Sequence, residues 1–331
     1  MDLTTRYLGL ELRNPLVAGA GPFNAELDNI KRLEDLGAGA VVLPSIFEEQ
    51  IEHEQQLMED LITVGTDSYA EALTYFPSQA AYAVDPVRYL DLIRRATAAV
   101  DIPVIGSLNG ATDHGWVEYA RQIEEAGADA VELNIYFIPS DLDLTGRAVE
   151  QRYIDILKTV KAAVRIPVAV KIGPYFSAIG NMARELDKAG ADGLVLFNRF
   201  YQPDIDLERL ALVSDLDLSR PNECRLPLLW LGVLAGRVKA SLAASTGVDS
   251  AVEVVKYLLA GADVVMTTSA LLREGVQHIQ SLRDGLEHWL AARGIHSLAA
   301  IRGCMSHRNI PDPMAFERAN YIRILQGYGR K

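Results

Sequence analysis

The sequence predicts a (β/α)8 TIM barrel, and three observations carry that reading. The first is a phrase that recurs after amphipathic helical stretches: Gly37-Ala38-Gly39-Ala40-Val41-Val42, Gly127-Ala128-Asp129-Ala130-Val131, Gly190-Ala191-Asp192-Gly193-Leu194-Val195 and Gly261-Ala262-Asp263-Val264-Val265. Glycine tolerates the left-handed cap that stops a helix, and a buried strand starts at once. The second is an alternating phrase, Asp101-Ile102-Pro103-Val104-Ile105 and Arg165-Ile166-Pro167-Val168-Ala169-Val170, in which proline stands at a strand entrance where no ladder donor is needed. The third is the strands themselves, short and almost continuously apolar, as parallel strands covered on both faces must be.

Eight strand candidates follow in order, at 15–18, 40–43, 104–106, 130–133, 168–172, 193–196, 241–244 and 264–267. Eight such units in 331 residues favour a closed barrel. A doubly wound open sheet is the alternative, because strand count does not prove closure. No Gly-x-Gly-x-x-Gly follows the first strand, which weakens a dinucleotide-binding fold. Three connections break the even spacing: 45–85 after strand 2, 134–147 after strand 4 and 198–239 after strand 6. Each leaves the carboxyl end of its strand, the face where barrels place chemistry. The whole chain, 1–331, is expected to form one domain, with the tail 295–331 packed on the barrel or on a partner subunit.

Charge narrows the function classes. The formal net charge is −12, which repels phosphate backbones and anionic lipid, so neither nucleic acid nor a membrane surface is an expected partner. Cys224 and Cys304 form no CxxC pair, which excludes a disulfide framework and a cysteine-rich metal site. The first residues lack a signal pattern and no apolar run reaches the roughly 18 residues of a membrane span, so the expected location is cytoplasmic.

Candidate chemistry gathers at the strand ends. Lys171 closes Val168-Ala169-Val170-Lys171-Ile172. It reads as a snorkelling or ion-paired lysine, as a cation stabilising negative charge on a reduced ring or an enolate, or as a Schiff-base amine; the sequence leaves all three open. Asn134, after Val131-Glu132-Leu133, can donate and accept at once, or cap the turn. Ser245-Thr246-Gly247-Val248 and Thr267-Thr268-Ser269-Ala270 follow the last two strands. Small residues there let backbone N–H groups approach an anion, and barrels often build phosphate sites from these two loops. Gly106-Ser107-Leu108-Asn109-Gly110 reads as a turn or a ligand contact, and Ala18-Gly19-Ala20-Gly21-Pro22 lets something flat lie against the backbone. The run from Phe47 to Glu54, with the single histidine His53, reads as an exposed helix face rather than a metal cluster. His114, His278 and His307 stand singly, so no metal site is expected.

In the order of these motifs the chain resembles the dihydroorotate dehydrogenase family, chiefly its soluble class, over roughly residues 3–290. Asn14-Pro15-Leu16-Val17-Ala18-Gly19-Ala20 is similar to the family's opening segment beside the flavin. Glu132-Leu133-Asn134 is similar to its strand end, and Val170-Lys171-Ile172-Gly173-Pro174-Tyr175-Phe176 to its lysine segment. Leu258-Leu259-Ala260-Gly261-Ala262, followed by Thr268-Ser269-Ala270-Leu271, is similar to its last phosphate-binding unit. The resemblance implies an FMN-binding barrel that oxidises dihydroorotate to orotate in pyrimidine biosynthesis. It implies FMN contacts at Ala18, Gly19, Ser45, Ser107, Asn134, Lys171, Thr246, Gly247, Thr268 and Ser269, with the phosphate against Gly247, Thr268 and Ser269. Substrate would meet Asn198, and a homodimer would be the assembly. Departures are specific. The family's Cys or Ser base falls on Phe137, which accepts no proton, and the following Pro-Asn becomes Ile138-Pro139. Pro44 meets the lysine expected after the second strand. The family's Asn-x-x-Gly-x-x-Asn segment has no counterpart around 67–76, and its paired glycines become Thr246-Gly247. Tyr136, Ser140 or Asp141 is left as the base, with Lys171, Asn134 and Tyr136 as the catalytic set. The leading expectation is therefore an FMN-dependent dehydrogenase acting on a CH–CH group of a small-molecule substrate. The alternatives are a lyase or aldolase using Lys171, and a non-catalytic flavoprotein subunit with a redox partner protein.

Overall fold

The eight expected strands close on themselves. The computed structural model describes residues 1–47, 86–110, 113–200, 202–213 and 217–316, together with 321 and 326. An antiparallel hairpin, β1 (Thr5–Tyr7) and β2 (Leu10–Leu12), precedes the barrel strands β3 (Leu16–Ala18), β4 (Ala40–Phe47), β5 (Val104–Asn109), β6 (Ala130–Asn134), β7 (Val168–Ile172) and β8 (Gly193–Leu196). A second hairpin, β9 (Asp204–Asp206) and β10 (Ala211–Val213), interrupts the series before β11 (Ser241–Ala244) and β12 (Val264–Thr267). The barrel order is β3-β4-β5-β6-β7-β8-β11-β12, and parallel pairing of β12 with β3, Val265 opposite Leu16, joins its ends. Closure rules out the open-sheet alternative.

The described helices are α1 (Leu27–Asp35), α2 (Pro86–Thr97), α3 (Asp113–Glu125), α4 (Gly146–Ala163), α5 (Ile179–Ala189), α6 (Arg225–Leu234), α7 (Ala251–Ala260), α8 (Ser269–Glu274) and α9 (His278–Ala291). The recurring glycine is the cap expected of it: Gly190 at φ 101° ends α5 and Gly261 at φ 118° ends α7. The aspartate beside it has a second use. Asp129, Asp192 and Asp263 accept from the backbone N–H of Val104, Val168 and Leu242 at 2.8, 2.7 and 2.8 Å. Each carboxylate thus pins the start of the neighbouring strand, at its first residue in β5 and β7 and its second in β11. Acids at helix ends act likewise on the other phrase: Glu34 accepts from Asp101 and Ile102, Glu124 from Arg165 and Ile166.

Alternation along the strands splits the core in two. Val17, Val42, Ile105, Ala130, Ala169, Val195, Ala243, Val264 and Met266 fill the barrel interior with Tyr7, Leu8 and Leu12 of the first hairpin. Their opposite-facing neighbours pack against the helices. Four small residues, Ala40, Ala130, Ala169 and Ala243, leave room for the hairpin side chains that close the amino-terminal end. Beyond α9 the chain returns along α7 and α6: Gly303 and Met305 donate to the carbonyls of Leu258 and Leu259, and His307 to that of Gly232.

Some boundaries differ from expectation. Asn134 ends β6 instead of opening a loop, and the connection 198–239 holds the β9–β10 hairpin and α6. Helix α6, RLPLLWLGVL, is apolar on almost every face and carries a proline, so its periodicity is hidden; Pro227 stands in the first turn, where no N–H is missed. Phe47 belongs to β4, paired with Asn109, and not to a helix face. The rest of the 47–54 run lies outside the described residues, as do 67–76. Among the described residues no helix is long and apolar enough to cross a membrane.

Candidate active site at the carboxyl end of the barrel

The inward face of the strands turns polar toward their carboxyl ends. On β6 the inward series runs Ala130, Glu132, Asn134, and on β7 Ala169 precedes Lys171, which stands opposite Asn134. Lys171 Nζ lies 3.4 Å from Glu132 Oε1, with the lysine side chain 13% and the glutamate 1% exposed. The ion-paired reading of Lys171 is therefore present, and its ammonium also lines an open cavity. A chain of side-chain hydrogen bonds crosses four strand ends. Asn198 Nδ2 donates to Asn134 Oδ1 at 2.6 Å, Asn134 Nδ2 donates to Ser45 Oγ at 3.2 Å, and the hydroxyls of Ser45 and Ser107 stand 2.7 Å apart. Tyr89 of α2 fixes β5 behind them, donating to Ser107 O and accepting from Ser107 N–H.

The turns after β11 and β12 meet on the other side of the cavity. Thr246 and Gly247 both have left-handed backbone, φ 80° and 69°. For the β-branched Thr246 this costs about 1–3 kcal/mol. Two bonds hold it there: Thr246 Oγ1 donates to Phe197 O at 3.0 Å, and Tyr257 Oη donates to Thr246 O at 2.7 Å. At Gly247 a Cβ would meet Arg220 O at 2.8 Å and Cys224 N at 2.9 Å, so only glycine fits. Ser219, a residue that sequence reasoning did not single out, joins the two turns. Its hydroxyl accepts from Gly247 N–H at 3.2 Å and stands 2.9 Å from Ser269 Oγ, to which its own N–H donates. Arg273 of α8 donates to Ser219 O and to Asp249. Gly19 backs onto the same place, where a Cβ would come 2.5 Å from Thr268 Oγ1.

Aromatic rings form the rim. Tyr136 and Tyr175 pack on Phe200 at centroid distances of 4.8 and 5.1 Å, and Phe200 lies on Gly173. Phe137 is turned to α4, where the Arg152 guanidinium stands 4.4 Å over its ring. Of the residues considered as the base, Tyr136 belongs to this rim, whereas Ser140 and Asp141 are exposed.

Lys171, Asn198, Thr246, Gly247, Thr268 and Ser269 line one cavity of about 200 Å³ together with Ser219 and Arg199. Ser45, Ser107 and Asn134 join it through the hydrogen-bond chain, and Ala18 and Gly19 stand behind Thr268. Among the described residues no carboxylate lines it, although the chain carries −12 overall. Arg199 is engaged by Glu223 at 2.9 Å. A second cavity of about 260 Å³ adjoins the first, sharing Phe197, Asn198, Arg199 and Thr246 and bounded by Tyr175 and Phe200. Among the described residues no group of three or more His, Cys, Asp or Glu could hold a metal. Ser219 was detectable only as Ser219-Arg220-Pro221 in the middle of a long connection, and Glu132 only as a charge inside an apolar strand.

The dihydroorotate dehydrogenase family model matches residues 2–290. The chain belongs to the dihydroorotate dehydrogenase family, a family of oxidoreductases. It is 25% identical over 325 residues to the dihydroorotate dehydrogenase B (NAD(+)) catalytic subunit of Thermoplasma acidophilum, covering 91% of this chain and 98% of that one. It is 26% identical over 308 residues to the protein of the same description from Methanothermobacter thermautotrophicus, covering 91% and 97%. It is also 22% identical over 333 residues to the NAD-dependent dihydropyrimidine dehydrogenase subunit PreA of Escherichia coli K12, covering 94% and 78%. The expected barrel is the fold of this family member, and the (β/α)8 reading stands.

Proposed function

We propose that this chain is an FMN-dependent dehydrogenase that oxidises or reduces a CH–CH bond in a small ring compound of the dihydroorotate type. The observation that carries the proposal is the cavity with Lys171 on one side and the β11 and β12 turns on the other. FMN fits the residues present. The hydroxyls of Thr268 and Ser269 are neutral donors grouped where an anion would seat, and Ser219, bonded to Gly247 N–H and to Ser269, holds the two turns together there. Gly19 and Gly21 let the β12 turn close on the β3 turn, since a Cβ on either would meet Thr268 at under 3 Å. When bound, FMN supplies the hydride acceptor or donor.

This chain's own residues would do the rest. Lys171 Nζ would place positive charge beside the ring edge, where negative charge grows on reduction. The Asn198–Asn134–Ser45–Ser107 chain fixes the two amides, so their free edges orient ring and substrate without reorganising. Tyr136 Oη is proposed as the atom that exchanges a proton with the substrate, releasing its own phenolic proton to solvent as it takes the substrate's, because Phe137 has none to exchange. The aromatic rim of Tyr136, Tyr175 and Phe200 excludes water on the substrate side. The purified protein should be yellow, with flavin absorption bands, and anaerobic dihydroorotate should bleach it. Protein that stays colourless after incubation with FMN sinks the proposal.

One observation favours a second reading. The Phe137 ring is held by Arg152, so the family's base position holds no proton acceptor. In that case the chain is a flavoprotein subunit serving a redox partner protein, with bound FMN that no tested hydride donor bleaches. A Schiff-base role for Lys171 finds less support, since the amine would have to leave a buried ion pair with Glu132. We further propose that residues 1–331 form one domain.

A further inference from the structure

Tyr7 Oη and Glu132 Oε2 have no hydrogen-bond partner among the described residues. Both residues are 1% exposed, and both lie inside the barrel. Native interiors rarely leave a phenol and a carboxylate oxygen bare, because each loses its water on folding. Tyr7 enters from the β1–β2 hairpin and shares the barrel interior with Ala130 and Ala169, its ring 3.4 Å from where a Cβ on Gly193 of β8 would stand. Those two alanines stand one inward position below Glu132 and Lys171 on β6 and β7. The phenol therefore rises toward the underside of the ion pair.

Of the two acids whose charge reaches it, Glu132 is the one with a bare oxygen. The charges of Glu132 and Asp263 both act on the Tyr7 hydroxyl, which burial above all holds in its protonated form. Both Asp263 oxygens already hold a partner, Oδ1 on Arg302 at 2.6 Å and Oδ2 on Leu242 N–H at 2.8 Å. Glu132 gives Oε1 to Lys171 and has Oε2 open. One water with two or more polar partners is a common resident of such a place.

We propose that Tyr7 and Glu132 are positioning residues for Lys171. A single buried water, accepting from Tyr7 Oη and donating to Glu132 Oε2, completes a relay that ends on the Lys171 ammonium at the cavity wall. The amino-terminal hairpin is then part of the site: it holds from below the cation that the cavity presents above. No covalent step is involved; the relay fixes where one charge stands. Its bearing on redox chemistry rests on the FMN reading, but the relay itself does not.

The test uses apoprotein first. A truly orphaned hydroxyl makes Tyr7→Phe neutral or stabilising, since it removes a buried polar atom that nothing satisfies. The relay predicts the opposite sign, a Tm lower by several degrees. It also predicts that Lys171 is acylated at least twofold faster in Tyr7→Phe, read at fixed pH by peptide mass spectrometry with acetic anhydride as the probe. An unchanged or raised Tm, or unchanged labelling of Lys171, overturns the proposal. Glu132→Met, checked for folding by circular dichroism, should speed the labelling at least tenfold. In protein loaded with FMN, the same variant leaves the cation without its counter-charge and should move the flavin midpoint potential upward. Protein that takes up no FMN defeats the redox assignment alone, because the labelling result stands independently of the cofactor.

Discussion

Lys171 shows how one side chain is defined by its neighbours. The sequence offers a cation at a strand end; the structure adds a buried carboxylate 3.4 Å away and a cavity on the other side. Two charges taken out of water depend on each other, and removing one leaves the other unpaired. Lys171→Gln should therefore cost about 3 kcal/mol in urea unfolding, near the lower end for breaking a buried pair because the lysine keeps some hydration. Lys171→Gln combined with Glu132→Gln should recover most of that loss, and additive losses in the double variant would contradict a coupled pair. Thr246 is the other informative residue. Its replacement of a family glycine is visible in the sequence, but its φ of 80° is not, and only the bonds from Tyr257 and to Phe197 explain how a branched side chain is kept there.

At the scale of elements, the repeated phrases prove to be joints. The Gly-Ala-Asp unit stops a helix with its glycine and pins the adjacent strand with its aspartate, three times in the same geometry. Asp192→Ala should cost about 1–3 kcal/mol by leaving Val168 N–H without its acceptor, measured as a shift in the denaturation midpoint at unchanged slope. The Lys161 contact of Asp192, at 2.6 Å and partly exposed, adds little to that figure. Ser219 has the corresponding position in the site, bonded to Gly247 on the β11 turn and to Ser269 on α8. Ser219→Ala should weaken FMN binding about 2- to 12-fold, the worth of one hydrogen bond, in a flavin fluorescence titration. Unaltered FMN affinity would remove Ser219 from the anion seat. Neither hairpin was foreseen, because three-residue strands are too short to show alternation, and α6 was hidden by its all-round apolarity.

The whole molecule reports its burial through its tyrosines. Desolvation raises the hydroxyls of Tyr7, Tyr89, Tyr153 and Tyr257 above the ordinary value of 10.0, Tyr153 to about 12. A raised folded value means that the native state holds these protons more tightly, so the stability they contribute is complete below pH 10 and is lost as pH climbs through the folded values. Thermal melts should shift downward from about pH 10, with tyrosinate absorbance at 295 nm appearing together with unfolding; tyrosinate appearing fully before unfolding would refute buried hydroxyls. Much of this architecture was legible beforehand. All eight barrel strands lie where the apolar runs and the glycine and proline signals placed them, because local propensity and burial on both faces act on the same residues. The turns after β11 and β12 were legible too, as small residues at two strand ends, and they line one cavity. Closure was expected from the count of eight, but its register was not legible, since pairing of β12 with β3 joins residues that nothing in the chain marks as neighbours. What the sequence alone determined is the alternation of strands and helices and the kinds of side chain at each strand end. Tertiary structure alone decided which of them meet: Glu132 beneath Lys171, Ser219 between Gly247 and Ser269, and Phe137 turned to Arg152. The reason is physical, because strand register and barrel closure bring together groups far apart in the chain, and their charges and hydrogen bonds acquire meaning only at that distance.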